Sequence, residues 1–195
     1  MSSHKTTATG RRPRRHDPDR AERIAEVVEE LIAERGIEGL SHRAIAERAD
    51  VSLSSTTYHF KDREALIRAG LQRTADRFAE YMAGWAAEHA HDTPAQLTDA
   101  LTDAVLYCCG EGRTASTVEY ELFLAALRRP ELRDTAARLE QEGTAAMTPV
   151  VGPVAAAAIQ AVMNGLCLQA MTSPAPPARA EIRQVIAYVV DAKPA

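Results

Sequence analysis

Residues 41–60, Ser-His-Arg-Ala-Ile-Ala-Glu-Arg-Ala-Asp-Val-Ser-Leu-Ser-Ser-Thr-Thr-Tyr-His-Phe, leave room for two short helices and a tight turn between them. Ser41 is placed to cap the first helix, while Ile45 and Ala49 fall four apart on a face that packs inward with Leu40 and Val51. Asp50 takes the turn, because Asp tolerates the left-handed backbone that such a turn needs, and Ser52 supplies the next N-cap. The second helix is therefore expected to begin at Ser52 or Leu53. Its surface positions, Ser54, Ser55, Thr56, Thr57, Tyr58 and His59, carry short or planar hydrogen-bonding groups where a merely solvated helix more often carries Glu and Lys. Such groups suit close approach to base edges and phosphates, so the pattern points to a helix-turn-helix that reads DNA.

Elsewhere the apolar residues recur at helical spacing and no stretch alternates like a strand, which predicts an all-α fold of about nine helices. Asp17 and Pro18 are expected to open a first helix whose stripe is Ile24, Val27, Val28, Leu31 and Ile32, closed by Gly36. Asp62 is a cap for a long helix to about Glu88, with a stripe of Leu66, Ile67, Gly70, Leu71, Phe78, Met82 and Trp85. That helix is long enough to link two domains. Thr93-Pro94 begins a helix to Cys109 or Gly110, Arg113–Leu127 forms another, and Pro130 starts a third at Glu131. Residues 149–172 and 177–191 supply the last two. The predicted division is a disordered basic arm over 1–16, a helix-turn-helix domain over 17–61 and a second helical domain over 62–195.

The net charge of −4 argues against nucleic acid only if its distribution is ignored. Residues 1–63 hold twelve Lys and Arg against eleven Asp and Glu, and residues 1–16 contain Lys5, Arg11, Arg12, Arg14 and Arg15 with no acid. Two readings of this arm stay open: a contact with the DNA minor groove or phosphates, or a solubilising tail. From Gly143 to Ala178 there is no charge at all. Pro149, Gly152, Pro153, Gln160, Asn164, Gly165 and Gln169 interrupt that stretch, and its commonest residue, Ala, is weakly apolar, so a membrane span is not expected. The opening residues have no apolar core of the secretory kind, and a cytoplasmic protein is expected.

Three stretches resemble the amino-terminal domain of TetR-family transcriptional regulators: an amphipathic helix ending in Arg35-Gly36, the segment with Ile45-Ala46 and Val51-Ser52, and Tyr58-His59-Phe60 leading into Lys61-Asp62-Arg63-Glu64-Ala65-Leu66. The match covers roughly residues 20–70. Family members usually carry Gly at the place of Asp50, and often Leu-Tyr at the place of Thr56-Thr57. The resemblance implies a three-helix DNA-binding domain followed by a helical domain for ligand binding and dimerisation. It further implies a repressor that binds a palindromic operator as a homodimer and is released by a small-molecule effector. The rival reading is a DNA-binding regulator without an inducer, constitutive, partner-controlled or thiol-responsive.

With the family match, Ser41 and Arg43 are assigned near the DNA backbone or groove edge, His42 is either a contact there or an inert surface residue, and Ser52, Leu53, Ser54, Ser55 and Thr56 are assigned toward the bases. Thr57, Tyr58, His59, Lys61 and Arg63 are assigned to phosphates. The uncharged helix and the stripe of the last helix give a candidate dimer interface of Ile159, Val162, Leu166, Ile182, Val185, Ile186, Val189 and Val190. An effector site is expected among Tyr81, Trp85, Tyr107, Cys108, Glu119, Tyr120, Phe123, Met163, Asn164 and Cys167, with Met147 and Met171 nearby. Taken alone, each of these residues reads more readily as simple core packing, and it is the family resemblance that points to a pocket. Glu119 suits a cationic or hydroxylated compound, but a carboxylate paired with Arg113 or Arg128 would look the same.

Cys108, Cys109 and Cys167 read as buried apolar groups, with thiol sensing as the alternative. The six histidines have no zinc-like spacing with Cys or acids, so neither metal nor cofactor is expected. No Gly-rich phosphate loop, nucleophile elbow or His-Glu-x-x-His is present, and an enzyme is not expected.

Overall fold

The computed structural model describes residues 19–191, and every regular element among them is helical. The helices are α1 (Arg20–Arg35), α2 (His42–Arg48), α3 (Leu53–His59), α4 (Arg63–His89) and α5 (Pro94–Cys109), then α6 (Arg113–Ala126), α7 (Arg133–Val151), α8 (Pro153–Thr172) and α9 (Arg179–Val190). One-turn 3-10 segments at Ile37–Gly39 and Pro130–Leu132 lead into α2 and α7. The basic arm and the expected helix start at Asp17-Pro18 lie outside the described residues.

Local chemistry sets the boundaries in the first domain. Ser41 Oγ accepts the Ala44 amide at 3.1 Å, Ser52 Oγ accepts the Ser55 amide at 3.2 Å, and Asp62 Oδ1 accepts the Ala65 amide at 2.7 Å. Asp50 takes the turn between α2 and α3 at φ 51°, in the left-handed region. Two expected boundaries differ. Pro149 does not start a helix but lies inside the last turn of α7, and the break falls at Gly152, whose φ of 80° suits glycine. Pro153 then occupies the first turn of α8, where a missing amide costs nothing. Near Glu131 the chain makes only a 3-10 turn, and α7 begins at Arg133.

Two apolar cores are stacked along α4. The first joins Ile24, Val28, Leu31 and Ile32 of α1 and Ile45 of α2 to Leu66, Ile67 and Leu71 of α4, with Leu122 of α6 and Leu139 of α7. α1 and α4 approach each other closely at Gly70, where a Cβ would meet Val28 Cγ1 at 2.5 Å. The second gathers Trp85 with Leu97, Leu101, Val105, Met147, Ile159, Ile182 and Ile186. α4 therefore belongs to both.

A polar clamp reinforces the α1–α4 contact. The nearly buried Glu29 accepts hydrogen bonds from Thr74 Oγ1 at 2.7 Å, Arg73 Nε at 3.0 Å and Arg77 Nη1 at 3.1 Å. A carboxylate in such a site is tolerable only because its oxygens are met by two cations and a hydroxyl.

Candidate DNA interface and effector cavity

On α3 the exposed side chains are Leu53, Ser54, Thr57 and Tyr58, the last with 84% of its surface accessible. Ser52 at the cap and Lys61 just beyond the helix are also exposed, and Ser41 and Arg43 stand beside them at the start of α2. Arg43 has no hydrogen bond or ion pair among the described residues. The Lys61 ammonium lies 3.7 Å from the Asp62 carboxylate, in water. Ser52 and Ser54 hydroxyls are 2.9 Å apart, and Thr57 turns its hydroxyl back to the carbonyls of Leu53 and Ser54. His59 is half-buried, edge-on to Tyr58 with ring centroids 5.1 Å apart.

Four assigned contacts sit differently from the sequence expectation. Thr56 is fully buried; its hydroxyl donates to the Leu53 carbonyl at 2.8 Å, which leaves His42 Nδ1, at 3.1 Å, to donate to it. Thr56 thus fastens α3 to α2 and cannot reach a base. His42 is spent on the same bond. Ser55 is partly covered and accepts from Arg20 Nη1 of α1 at 3.2 Å. Arg63 donates to the Leu40 carbonyl at 3.0 Å and the Ile37 carbonyl at 2.7 Å, with Glu38 at 3.2 Å. It closes the loop before α2 rather than pointing at phosphate.

The second domain encloses a cavity of about 340 Å³ between α4, α5, α6, α7 and α8. All ten residues expected at an effector site border it: Tyr81 and Trp85 from α4, Tyr107 and Cys108 from α5, Glu119, Tyr120 and Phe123 from α6, and Met163, Asn164 and Cys167 from α8. Met147 borders it too, whereas Met171 does not; the Met171 carbonyl accepts from Arg113 Nη2 at 2.9 Å. Tyr81 and Tyr107, both about half exposed, stack at its rim with ring planes 11° apart. Tyr120 and Asn164 hold the wall together. The Tyr120 hydroxyl donates to the Asn164 carbonyl at 2.9 Å, and the Asn164 amide donates to Glu140 at 2.8 Å.

Glu119 stands apart. Its carboxylate forms no hydrogen bond or ion pair among the described residues, and neither Arg113 nor Arg128 neutralises it. Burial pushes its pKa up to about 7, Cys108 adds to the rise, and the Arg77 guanidinium opposes it. In the same cavity wall the Cys167 thiol donates to Cys108 Sγ at 3.0 Å. That bond, helped by Ser116 and opposed by burial, brings the Cys108 thiol down to about 7, while Cys167 is pushed up as the proton donor of the pair.

Residues 24–69 match the family model described as bacterial regulatory proteins, tetR family, and residues 92–192 match a tetracyclin repressor-like C-terminal domain. The second match alone spans more than half of the chain. The protein belongs to the TetR family.

TetR-family proteins are DNA-binding regulators rather than enzymes. The chain is 30% identical to SCO7518 from Streptomyces coelicolor A3(2), with 90% of this chain and 100% of that one covered and a TM-score of 0.77. It is 38% identical to the multidrug binding protein EbrR complexed with ethidium, over 89% and 99% of the two chains, with a TM-score of 0.74. EbrR is also solved with proflavin and with malachite green. An uncharacterized HTH-type transcriptional regulator encoded in the dhlA 5′ region of Xanthobacter autotrophicus is 36% identical over 89 residues. That match spans 43% of this chain and 42% of the relative.

Sequence reasoning missed several members of the cavity wall in this TetR-family chain. Thr74 and Arg77 line it, and the same two side chains hold Glu29 of α1. Phe78 and Met82 were legible only as part of the apolar stripe of α4. Gln160 and Leu139 enter from α8 and α7. The spacing of Arg77, Tyr81 and Trp85 at i, i+4 and i+8 was the available signal, since it puts a cation on the face otherwise occupied by aromatics.

Among the predicted dimer residues, Ile159, Leu166, Ile182 and Ile186 are buried in the second core of their own chain, and Val162, Val189 and Val190 are half-buried against it. Only Val185 is exposed. The outward apolar face lies one step round each helix: Val154, Ala158, Ala161, Gly165 and Leu168 on α8, with Val185 and Tyr188 on α9. A charge-free helix has no polar face to fix its orientation in advance, so periodicity alone picked the inner stripe.

Proposed function

We propose that the protein is a cytoplasmic transcriptional repressor that binds an inverted-repeat operator as a homodimer and is released by an aromatic organic cation. The unpartnered Glu119 carboxylate in a cavity lined by Tyr81, Trp85, Tyr107, Tyr120 and Phe123 carries this reading. A desolvated carboxylate without a cation is unfavourable, and aromatic faces attract positive charge as well as flat rings. A relative titled a multidrug binding protein, complexed with ethidium, supports the same ligand class, because ethidium is a flat aromatic cation.

DNA contact is proposed for Arg43, Ser52, Leu53, Ser54, Thr57, Tyr58 and Lys61, with Ser41 and His59 at the margin. Thr56, His42, Ser55 and Arg63 shape the reading head from behind. The dimer uses the outward face of α8 and α9: Val154 and Tyr188 are each about 80% exposed, and Val154, Ala158, Ala161, Gly165 and Leu168 of the uncharged α8 are left exposed by its own chain. Two α3 helices related by a twofold axis would read half-sites about 34–36 Å apart, or a multiple of that.

Release follows from α4. Thr74 and Arg77 form part of the cavity wall while gripping Glu29, so a cation beside Glu119 repels Arg77 and disturbs the hold of α4 on α1. The effector works by its different affinity for the two arrangements of the reading heads. Selection of bound duplexes from random DNA, followed by anisotropy titration with tetraphenylphosphonium, tests the whole reading. This cation does not intercalate. An inverted repeat that dissociates on adding the cation is expected; a selected sequence whose binding ignores it, together with ethidium, proflavin and malachite green failing to bind the free protein, would overturn the effector assignment.

A further inference from the structure

Cys108 and Cys167 are the two sulfurs of the cavity wall, brought from α5 and α8 to a separation of 3.0 Å. We propose that they are a redox-active dithiol which closes to a disulfide under hydroperoxide, stapling α5 to α8 and withdrawing the cavity from its effector. The part concerning the effector rests on the cation reading above; the cross-link itself does not.

Geometry selects this pair from the three cysteines. Cys108 and Cys109 are adjacent, with Cα atoms about 3.8 Å apart, too close for the usual disulfide span. Cys109 does not border the cavity and donates its thiol to the Leu106 carbonyl of its own helix at 3.2 Å. Cys108 and Cys167 come from helices that already pack together, so closure needs only about 1 Å of approach to reach the bonded distance. The cavity is also the route by which a small peroxide reaches them, past the half-exposed Tyr81 and Tyr107.

The chemistry balances with one hydroperoxide. Cys108, whose thiol is brought down to about 7 by the bond from Cys167, attacks as the thiolate. The peroxide O–O bond breaks, the distal oxygen stays on Cys108 as a sulfenic acid, and the departing alkoxide or hydroxide takes a proton. Cys167 sulfur then attacks Cys108 sulfur. The S–O bond breaks, and the leaving hydroxide takes the Cys167 proton and departs as water. Two thiols are oxidised by two electrons and the peroxide is reduced by two. Tying the two adjoining walls α5 and α8 of a cavity of about 340 Å³ to each other removes the give that a bulky ligand needs, so ligand binding is expected to weaken about tenfold.

Intact mass, alkylation and peptide mapping of the full chain after one equivalent of hydrogen peroxide, with ethidium fluorescence titrations before and after, decide the matter. The expected product loses two hydrogens, keeps a single alkylatable thiol at Cys109, contains a Cys108–Cys167 linked peptide, and binds ethidium about tenfold more weakly until dithiothreitol restores it. Cys109→Ser should behave as wild type, and Cys167→Ser should leave a dimedone-reactive Cys108. Pairing through Cys109, linkage between chains, or three thiols surviving would overturn the dithiol, and an oxidised protein with unaltered ethidium affinity would overturn its effect on the cavity. If neither redox form binds ethidium while the cross-link forms, the dithiol stands and the cation reading falls.

Discussion

Ethidium binding should depend on pH through Glu119, with the slope pointing to weaker binding in acid. Ethidium carries a permanent charge, so any titration belongs to the protein. Burial raises the Glu119 carboxyl to about 7, and only its ionised form attracts the cation. At pH 8 about nine-tenths of the carboxyl is ionised, and at pH 5 only about one-hundredth. Affinity should therefore be nearly flat above pH 8 and fall about tenfold for each pH unit below 7, close to a hundredfold between pH 8 and pH 5. The other titratable or charged groups facing the site are Arg77 and Tyr81 on α4, Tyr107 and Cys108 on α5, Tyr120 on α6, and Cys167 on α8. Of these Cys108, at about 7, titrates in the same window, so Cys108→Ser is the necessary control and should keep the slope.

Glu119→Gln should abolish the slope and weaken binding at pH 8. At about 5 Å and an effective dielectric of about 20 the lost attraction is roughly 3 kcal/mol, on the order of a hundredfold. Fluorescence titration of the purified protein over pH 5–8, without DNA, reads both effects. A flat profile in the wild type, or a slope that persists in Glu119→Gln, would refute the assignment of Glu119 as the cation's partner.

The same substitution should raise thermal stability at pH 8. Because the folded pKa lies above the ordinary carboxyl value, stability is lost as pH rises from about 4.5 to about 7, by at most about 3 kcal/mol, and Gln removes that penalty; calorimetry at pH 5 and 8 should show the gain only at pH 8. Arg63→Ala should destabilise the protein by about 1.5–3 kcal/mol in urea denaturation, by orphaning the Ile37 and Leu40 carbonyls, and Arg63→Lys should not restore it. Lys61→Ala should leave stability unchanged while flattening the salt dependence of DNA binding by about one unit. Gly165→Leu should fold normally, since no atom lies within 4 Å of a Cβ built there, yet sediment as a monomer because it thickens the outward face of α8.

Much of this architecture is written locally. Ser41, Ser52 and Asp62 announce three helix starts because each is a small polar group ahead of an apolar face, and Asp50 announces the turn. The cavity residues were legible as polar or aromatic groups on apolar helices, which is how the walls of a small-molecule site are built. Orientation was harder. A seven-residue helix must turn at least one position inward, and on an α3 paved with hydroxyls nothing in the residue types singled out Thr56. The frequent Leu of relatives at that place was the clue that it is an apolar slot. Arg63 looked like a phosphate ligand because its acceptors are backbone carbonyls more than twenty residues away, which side-chain chemistry does not reveal. Arg77 was invisible for a similar reason: its partner Glu29 lies 48 residues upstream, across the α1–α4 crossing.

The most direct test is the affinity of the protein for its selected operator with and without saturating tetraphenylphosphonium, read by anisotropy of a labelled duplex at fixed salt and pH 8. A binding curve displaced to higher protein concentration by the cation, in wild type but not in Glu119→Gln, is the predicted result. Superimposable curves for wild type with and without the cation would contradict the claim that the cavity controls the reading heads.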